Sequence, residues 1–181
     1  MASLAYPNRP VWGEDGVNPR ALALKEFTDR MKDYTSLQKK IESGLPALKP
    51  SKDPADIEEH RQALASGIRT ARAAAKPGDV FGTAADLIRA VIKEDAADRS
   101  RRDVYAAMEE VPGRNPPAVN AGYPEKAALA TVPPLLLLKL PPLPEGVEYR
   151  FMGRDLILRD TKSNLIVDFI HDAVPTVLKK K

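Results

Sequence analysis

The sequence predicts an α+β protein with a helical core of three main helices, a proline-rich strap and a C-terminal three-stranded antiparallel β-meander. Three observations carry this reading. In the first half, apolar residues recur at spacings of three and four between capping residues and helix breakers. Over residues 147–170 the pattern changes to an alternation of period two, interrupted by two turn sequences. Between these regions prolines cluster, and the whole chain holds 17 in 181 residues, about twice the usual share. A single domain is expected, with an N-terminal arm (1–17), a helical part (18–110), the strap (111–144), the meander (145–174) and a basic tail (175–181).

The first helix has Asn18 as its cap and Pro19 at its first position, where a missing N–H costs nothing. Leu24, Phe27, Met31, Tyr34, Leu37 and Ile41 form its apolar stripe, and Gly44 with Pro46 ends it. The second repeats this grammar with Asp53 and Pro54, and Asp56 and Glu58 complement the positive end of the helix dipole. Ile57, Leu64, Ile68, Ala71 and Ala75 mark its thinner apolar face, and Lys76-Pro77-Gly78 stops it. A short loop makes the two an antiparallel hairpin. After a turn over residues 79–82, Thr83 with Asp86 has the form of a capping box, and Leu87, Ile88, Val91 and Ile92 open a third helix. Residues 93–103 are charged, so that helix is solvated in its middle or breaks near Ser100 before Tyr105 and Met108 restore an apolar face.

Residues 114–134 show no regular pattern, which marks a wrapping segment or a functional loop. Pro133-Pro134, four leucines and Pro141-Pro142 then read as an extended strap whose leucines lie against the helices. In the meander, Gly153-Arg154 suits a type II′ hairpin turn. Tyr149, Phe151, Leu156, Leu158, Leu165, Val167 and Phe169 are the sheet's expected core.

Chemistry is sparse. The formal charge is +3, and Lys179, Lys180 and Lys181 account for all of it, so nucleic-acid binding is not favoured. No cysteine is present, which excludes disulfides, thiolate zinc sites and a cysteine nucleophile. No apolar run reaches the length of a membrane span. P-loop, G-x-G-x-x-G and G-x-S-x-G motifs are absent, and no cofactor is expected. His60 and His171 are far apart in sequence, and their carboxylate neighbours point away from them on a regular helix or strand, so no metal is expected. His171 beside Asp168 and Asp172 is the best acid–base candidate and supports a small hydrolase as an alternative. Arg150, Arg154 and Arg159, with Glu148, Asp155 and Asp160, form either cross-strand ion pairs or a charged docking rim. Trp12 either ties the arm down or stacks on a ligand, and Arg99, Arg101 and Arg102 with the lysine tail suit an anionic partner. The leading expectation is a non-enzymatic binding or accessory protein acting through protein–protein contacts, self-association included.

The segment LPPLPEGVEYRFMGRDLILRDTKSNLIVDFI resembles the closing segment of a family of uncharacterised bacterial proteins, often encoded with an export signal. The resemblance extends to the helical hairpin near residues 36–76 and the turn Gly78-Asp79-Val80-Phe81. It implies no activity, but it implies a periplasmic or secreted location, with Met1 standing in place of a cleaved signal. Without the resemblance, a cytoplasmic location is the alternative.

Overall fold

A computed structural model describes residues 18–47, 53–98, 116–124 and 132–175. The fold is α+β, with three long helices and a three-stranded antiparallel sheet at the C-terminal end. Helix α1 is Pro19–Ser43, and the side chain of Asn18 accepts from the Arg20 N–H at its start. Gly44 stays right-handed at φ −85°, so this helix stops without the left-handed cap that a glycine there suggests. Helix α2, Pro54–Ala71, is capped by Asp53. It ends before the expected Lys76-Pro77-Gly78 stop, in a turn held by the Ala75 N–H donating to the Arg72 carbonyl. A Cβ on Gly67 would strike Ile41, and Arg72 stacks on Tyr34 at 5.1 Å. These two contacts run in opposite directions along the two helices, so α1 and α2 pack antiparallel. The first half of α2 instead lines a cleft with Leu45, Pro46 and Ala47, leaving Ile57 exposed.

Helix α3 is Ala84–Asp98. Thr83 does not close a capping box there. Its hydroxyl donates to Glu26 of α1, and Asp86 pairs with Arg89. The remainder of the expected third helix, with Arg99, Arg101 and Arg102, lies outside the described residues, as do Trp12 and the lysine tail.

The sheet has strands β1 (Val147–Met152), β2 (Asp155–Asp160) and β3 (Leu165–Ile170) in that order. Met152 pairs with Asp155 across Gly153-Arg154, and Gly153 has φ +59° while Arg154 does not turn positive, as a type II′ turn requires. The register between β2 and β3 shifts after Leu158, which pairs with Asp168 while Arg159 pairs with Ile166. Val167 is therefore the extra residue of a bulge, and its carbonyl accepts from Arg72 at 3.0 Å. Both faces of β2 and β3 are buried except at Arg159 and Phe169. Six of the seven expected sheet residues are core, and Phe169 is half-buried against it.

The middle of the chain differs most from its sequence reading. Residues 120–123 are not a loose wrap but run along the outer edge of β3. Asn120 and Tyr123 donate to Ile166 and Asn164, and Ile166 donates to Ala121. The four leucines are not an extended strap either. Pro134–Leu137 is a single helical turn, α4, which buries Leu136 and leaves Leu135, Leu137 and Leu138 at 68%, 43% and 83% exposure. A helical turn sends successive side chains to different sides, so one leucine in four reaches the core.

Candidate functional site

Two polar centres fix the sheet against the helices, and both are built around a fully buried aspartate. Asp160, at the end of β2, accepts from the Tyr34 hydroxyl at 2.7 Å and the Gln38 amide at 2.6 Å, both from α1. Its other oxygen accepts from the backbone N–H groups of Lys162 and Ser163. Burial and the adjacent Asp160 push the Tyr34 hydroxyl far above its ordinary pKa, so it remains a donor. Asp168, in β3, accepts from the backbone N–H groups of Gly78, Val80 and Phe81 at 2.8–2.9 Å, and from that of Phe169. The turn between α2 and α3 thus converges its main-chain donors on one carboxylate, with Gly78 at φ +88° and Gly82 at φ +50° shaping it. Asp168, a sequence candidate for acid–base work, has both oxygens engaged in this anchor.

His171 finds a different partner. Its Nδ1 lies 2.9 Å from Asp155, which is 7% exposed and also accepts from the Asp172 N–H. Its Nε2 lies 3.4 Å from Asp172. Neighbours on a strand point apart, but the strand ends at Ile170 and Asp172 has φ +50°, so the chain bends and the two side chains converge. The sequence signal for the Asp155 contact is the register, because pairing Leu156 with Ile170 sets Asp155 opposite His171. Asp155, His171 and Asp172 bring three ligand atoms within 4.8 Å of one another. Arg154 already neutralises Asp172 at 3.0 Å, however, and a cation would have to compete with it.

The three meander arginines do not share one rim. Arg154 belongs to the His171 end, where it also donates to the Val174 carbonyl. Arg150 and Arg159 share Glu148, at 2.7 and 2.9 Å, and Glu148 and Arg159 are direct cross-strand partners. Arg159 also donates to Asn164 and stacks on the Tyr123 ring at 4.8 Å. Burial pushes Glu148 up, but the hydrogen bonds and charges of the two arginines outweigh it and hold its carboxyl below the ordinary value.

The outer edge of β1 differs from that of β3. Among the described residues, the one backbone bond this strand makes away from β2 joins the Val147 N–H to the Pro144 carbonyl. Alongside lies a groove of about 570 Å³. Its apolar wall includes Val132, Leu137, Leu143 and Tyr149, and Glu148 and Arg150 form its charged rim. Leu135 and Leu138, both more exposed than Leu137, are outside its lining. The alternation of β1 predicts a half-buried strand, but no local pattern reveals which sheet edge is paired by a further segment among the described residues.

No helix among the described residues is long and apolar enough to cross a membrane. Comparison of the chain with protein-family models, with curated proteins and with solved structures returns no match.

Proposed function

We propose that this chain is a non-enzymatic binding protein that takes an extended apolar segment of a protein partner along β1 and the leucine-rich turn. The observation that supports this reading is the difference in edge cover. β3 has main-chain bonds from residues 120–123 along its outer side, whereas among the described residues β1 has one such bond, to Pro144, and a groove lined by Leu137 and Leu143. An exposed edge offers a ladder of backbone donors and acceptors, and adjacent apolar pockets select alternate side chains of an added strand.

Selection from a random peptide library against the full chain tests the proposal. The enriched peptides are expected to be apolar and extended, and to slow hydrogen exchange at the amides of Val147–Met152. Replacing Leu137 and Leu138 together by lysine is expected to weaken their binding by about tenfold or more, the scale of two lost apolar contacts. Peptides that protect another surface, or bind the double variant as well as the wild type, would overturn it. Light scattering separates the alternative occupant: a dimer through the same edge is concentration-dependent and is dispersed by the same substitutions. The exported location implied by the C-terminal resemblance belongs to the proposal, and fractionation of the source cells checks it.

The pairing of His171 with the buried Asp155 favours a second reading, a small hydrolase. An aspartate on Nδ1 orients an imidazole whose Nε2 can then move a proton. His171→Ala is expected to abolish any hydrolytic turnover while leaving the fold intact, and turnover that survives this change rules the reading out.

A further inference from the structure

The apolar stripes of α1 and α3 hold three aliphatic residues that the core does not take up. Phe27, Met31 and Tyr34 of α1 and Ile88 and Ile92 of α3 are buried, whereas Leu24, Leu87 and Val91 are half-buried. These three line one groove of about 220 Å³, together with Leu140. The groove is smaller than the roughly 300–1,000 Å³ of sites for drug-sized ligands, and it has room for one or two side chains. Its charged lining residues are Arg20 and Lys139, and no carboxylate lines it. Lys139 pairs with Asp95 at 3.3 Å, and Arg20 is exposed.

Three properties of the chain indicate what covers this groove. The first is position. The groove begins at Arg20, in the first turn of α1, and residues 1–17, outside the described residues, join the helix there. Trp12 precedes Asn18 by six residues, a reach of up to about 20 Å when extended. Leu24 is about 9 Å from Asn18 along the helix axis. The second is chemistry. Trp12 is the sole tryptophan, with Val11 beside it, and an indole supplies a large apolar surface from a single residue. The third is charge. Glu14 and Asp15 stand between Trp12 and α1 with no basic residue among them, opposite in sign to Arg20 and Lys139. The stretch after α3 also carries apolar residues, Tyr105 and Met108. It reaches them through Arg99, Arg101 and Arg102 against Asp103, a basic excess that the basic rim of the groove repels.

We propose that this groove is the seat of the N-terminal arm, with Trp12 packed on Leu24, Leu87 and Val91 and the acidic pair Glu14-Asp15 facing Arg20 and Lys139. The arm then straps α1 to α3 from outside. Pro141 and Pro142 line both this groove and the one beside β1. The seat of the arm does not rest on partner binding at β1, and either proposal can fail without the other.

The sole tryptophan makes the test spectroscopic. In the folded full chain, Trp12 emission is expected to be blue-shifted from that of the urea-unfolded chain and shielded from acrylamide. Leu24→Lys and Leu87→Lys put a charge into the groove at half-exposed positions. Each is expected to return the emission toward the unfolded value while circular dichroism shows the helices intact, and Leu138→Lys, outside the groove, should emit as the wild type does. Arg20→Glu, an exposed change, should increase quenching at low salt. Trp12→Ala should lower Tm by about 3 °C or more, the scale of one large side chain buried. Leu24→Lys should cost less Tm in that background than in the wild type. Because the chain has no cysteine, Val11→Cys combined with Leu87→Cys is expected to close a disulfide within one chain, and Tyr105→Cys combined with Leu87→Cys is not. The proposal is overturned if Trp12 of the folded chain emits as in urea, or if folded Leu24→Lys and Leu87→Lys keep the blue shift. It is equally overturned if the Tyr105→Cys pair closes instead, or if the Val11→Cys pair links two chains.

Discussion

Asp160 and Asp168 are both fully buried in the sheet, but they are held by donors of different kinds. Asp160 takes two of its hydrogen bonds from side chains, Tyr34 and Gln38, which can rotate. A tyrosine hydroxyl can accept as well as donate, and a glutamine amide can turn its oxygen inward. Asp168 takes every one of its bonds from main-chain N–H groups, three of them fixed by the shape of the turn after α2. Side-chain donors can adapt to a changed partner; main-chain donors cannot. The first centre is therefore an adjustable joint between α1 and the sheet, and the second is a rigid one that specifies the turn.

The largest expected effect follows from that rigidity. Asp168→Asn puts an NH₂ group against N–H donors that have nowhere to turn, and it should cost about 3–5 kcal/mol, the range for stripping one partner from a buried charged cluster. Asp160→Asn is nearly the same substitution chemically, but Tyr34 and Gln38 can reverse their polarity around it. It should cost about 1.5–3 kcal/mol, the value of a charge-assisted bond lost. Urea unfolding of the two variants measures the difference directly. Equal costs, or a larger cost at Asp160, would mean that donor adaptability does not distinguish the two centres.

A half-buried acid extends the comparison toward the surface. Because the arginines hold Glu148 below its ordinary pKa when folded, its contribution is present above its unfolded value of about 4.3 and is lost as pH falls through the folded value. Glu148→Gln should therefore be less stable than the wild type at neutral pH, by under about 1 kcal/mol for so accessible a pair. The gap should narrow as pH falls below the unfolded value and close once it is below the folded one. A gap that is constant with pH would assign the loss to packing and not to charge. The smallest effect belongs to the exposed leucines. Leu138, at 83% exposure, should tolerate lysine within about 0.5 kcal/mol. A larger loss in thermal unfolding would show that the leucine is already covered within the chain.

Much of this fold is legible in the sequence. The capping residues Asn18 and Asp53, the amphipathic stripe through Phe27, Met31 and Tyr34, the Gly153-Arg154 turn and all three strands stand where pattern and turn chemistry place them. Reading failed where the deciding partner is distant. Asp168 is the one polar residue of an otherwise apolar strand, and alone it gives no sign that its donors lie 87–90 residues earlier. The edge formed by residues 120–123 pairs with β3 through backbone groups, which every sequence possesses, and its side-chain anchors, Asn120 with Arg72 and Asn164 with the Tyr123 carbonyl, join residues distant in the chain. The leucines of α4 misled in the other direction. Density of apolar residues measures a tendency to be covered, not whether the chain itself supplies the cover. At the candidate sites, His171 could be singled out from sequence, but its partner Asp155 follows only from the strand register. The difference between the β1 and β3 edges requires the whole sheet.

The Tyr34–Asp160 bond also sets a clock. Its partners are 126 residues apart, and at about 5–20 residues per second of synthesis roughly 6–25 s separate their appearance on the ribosome. For that interval Tyr34 lacks the buried carboxylate that receives it, although Phe27 gains its stacking partner Phe81 sooner. The long helix emerges early but docks late, so the nascent chain presents to the cell's folding machinery a surface that the finished protein hides.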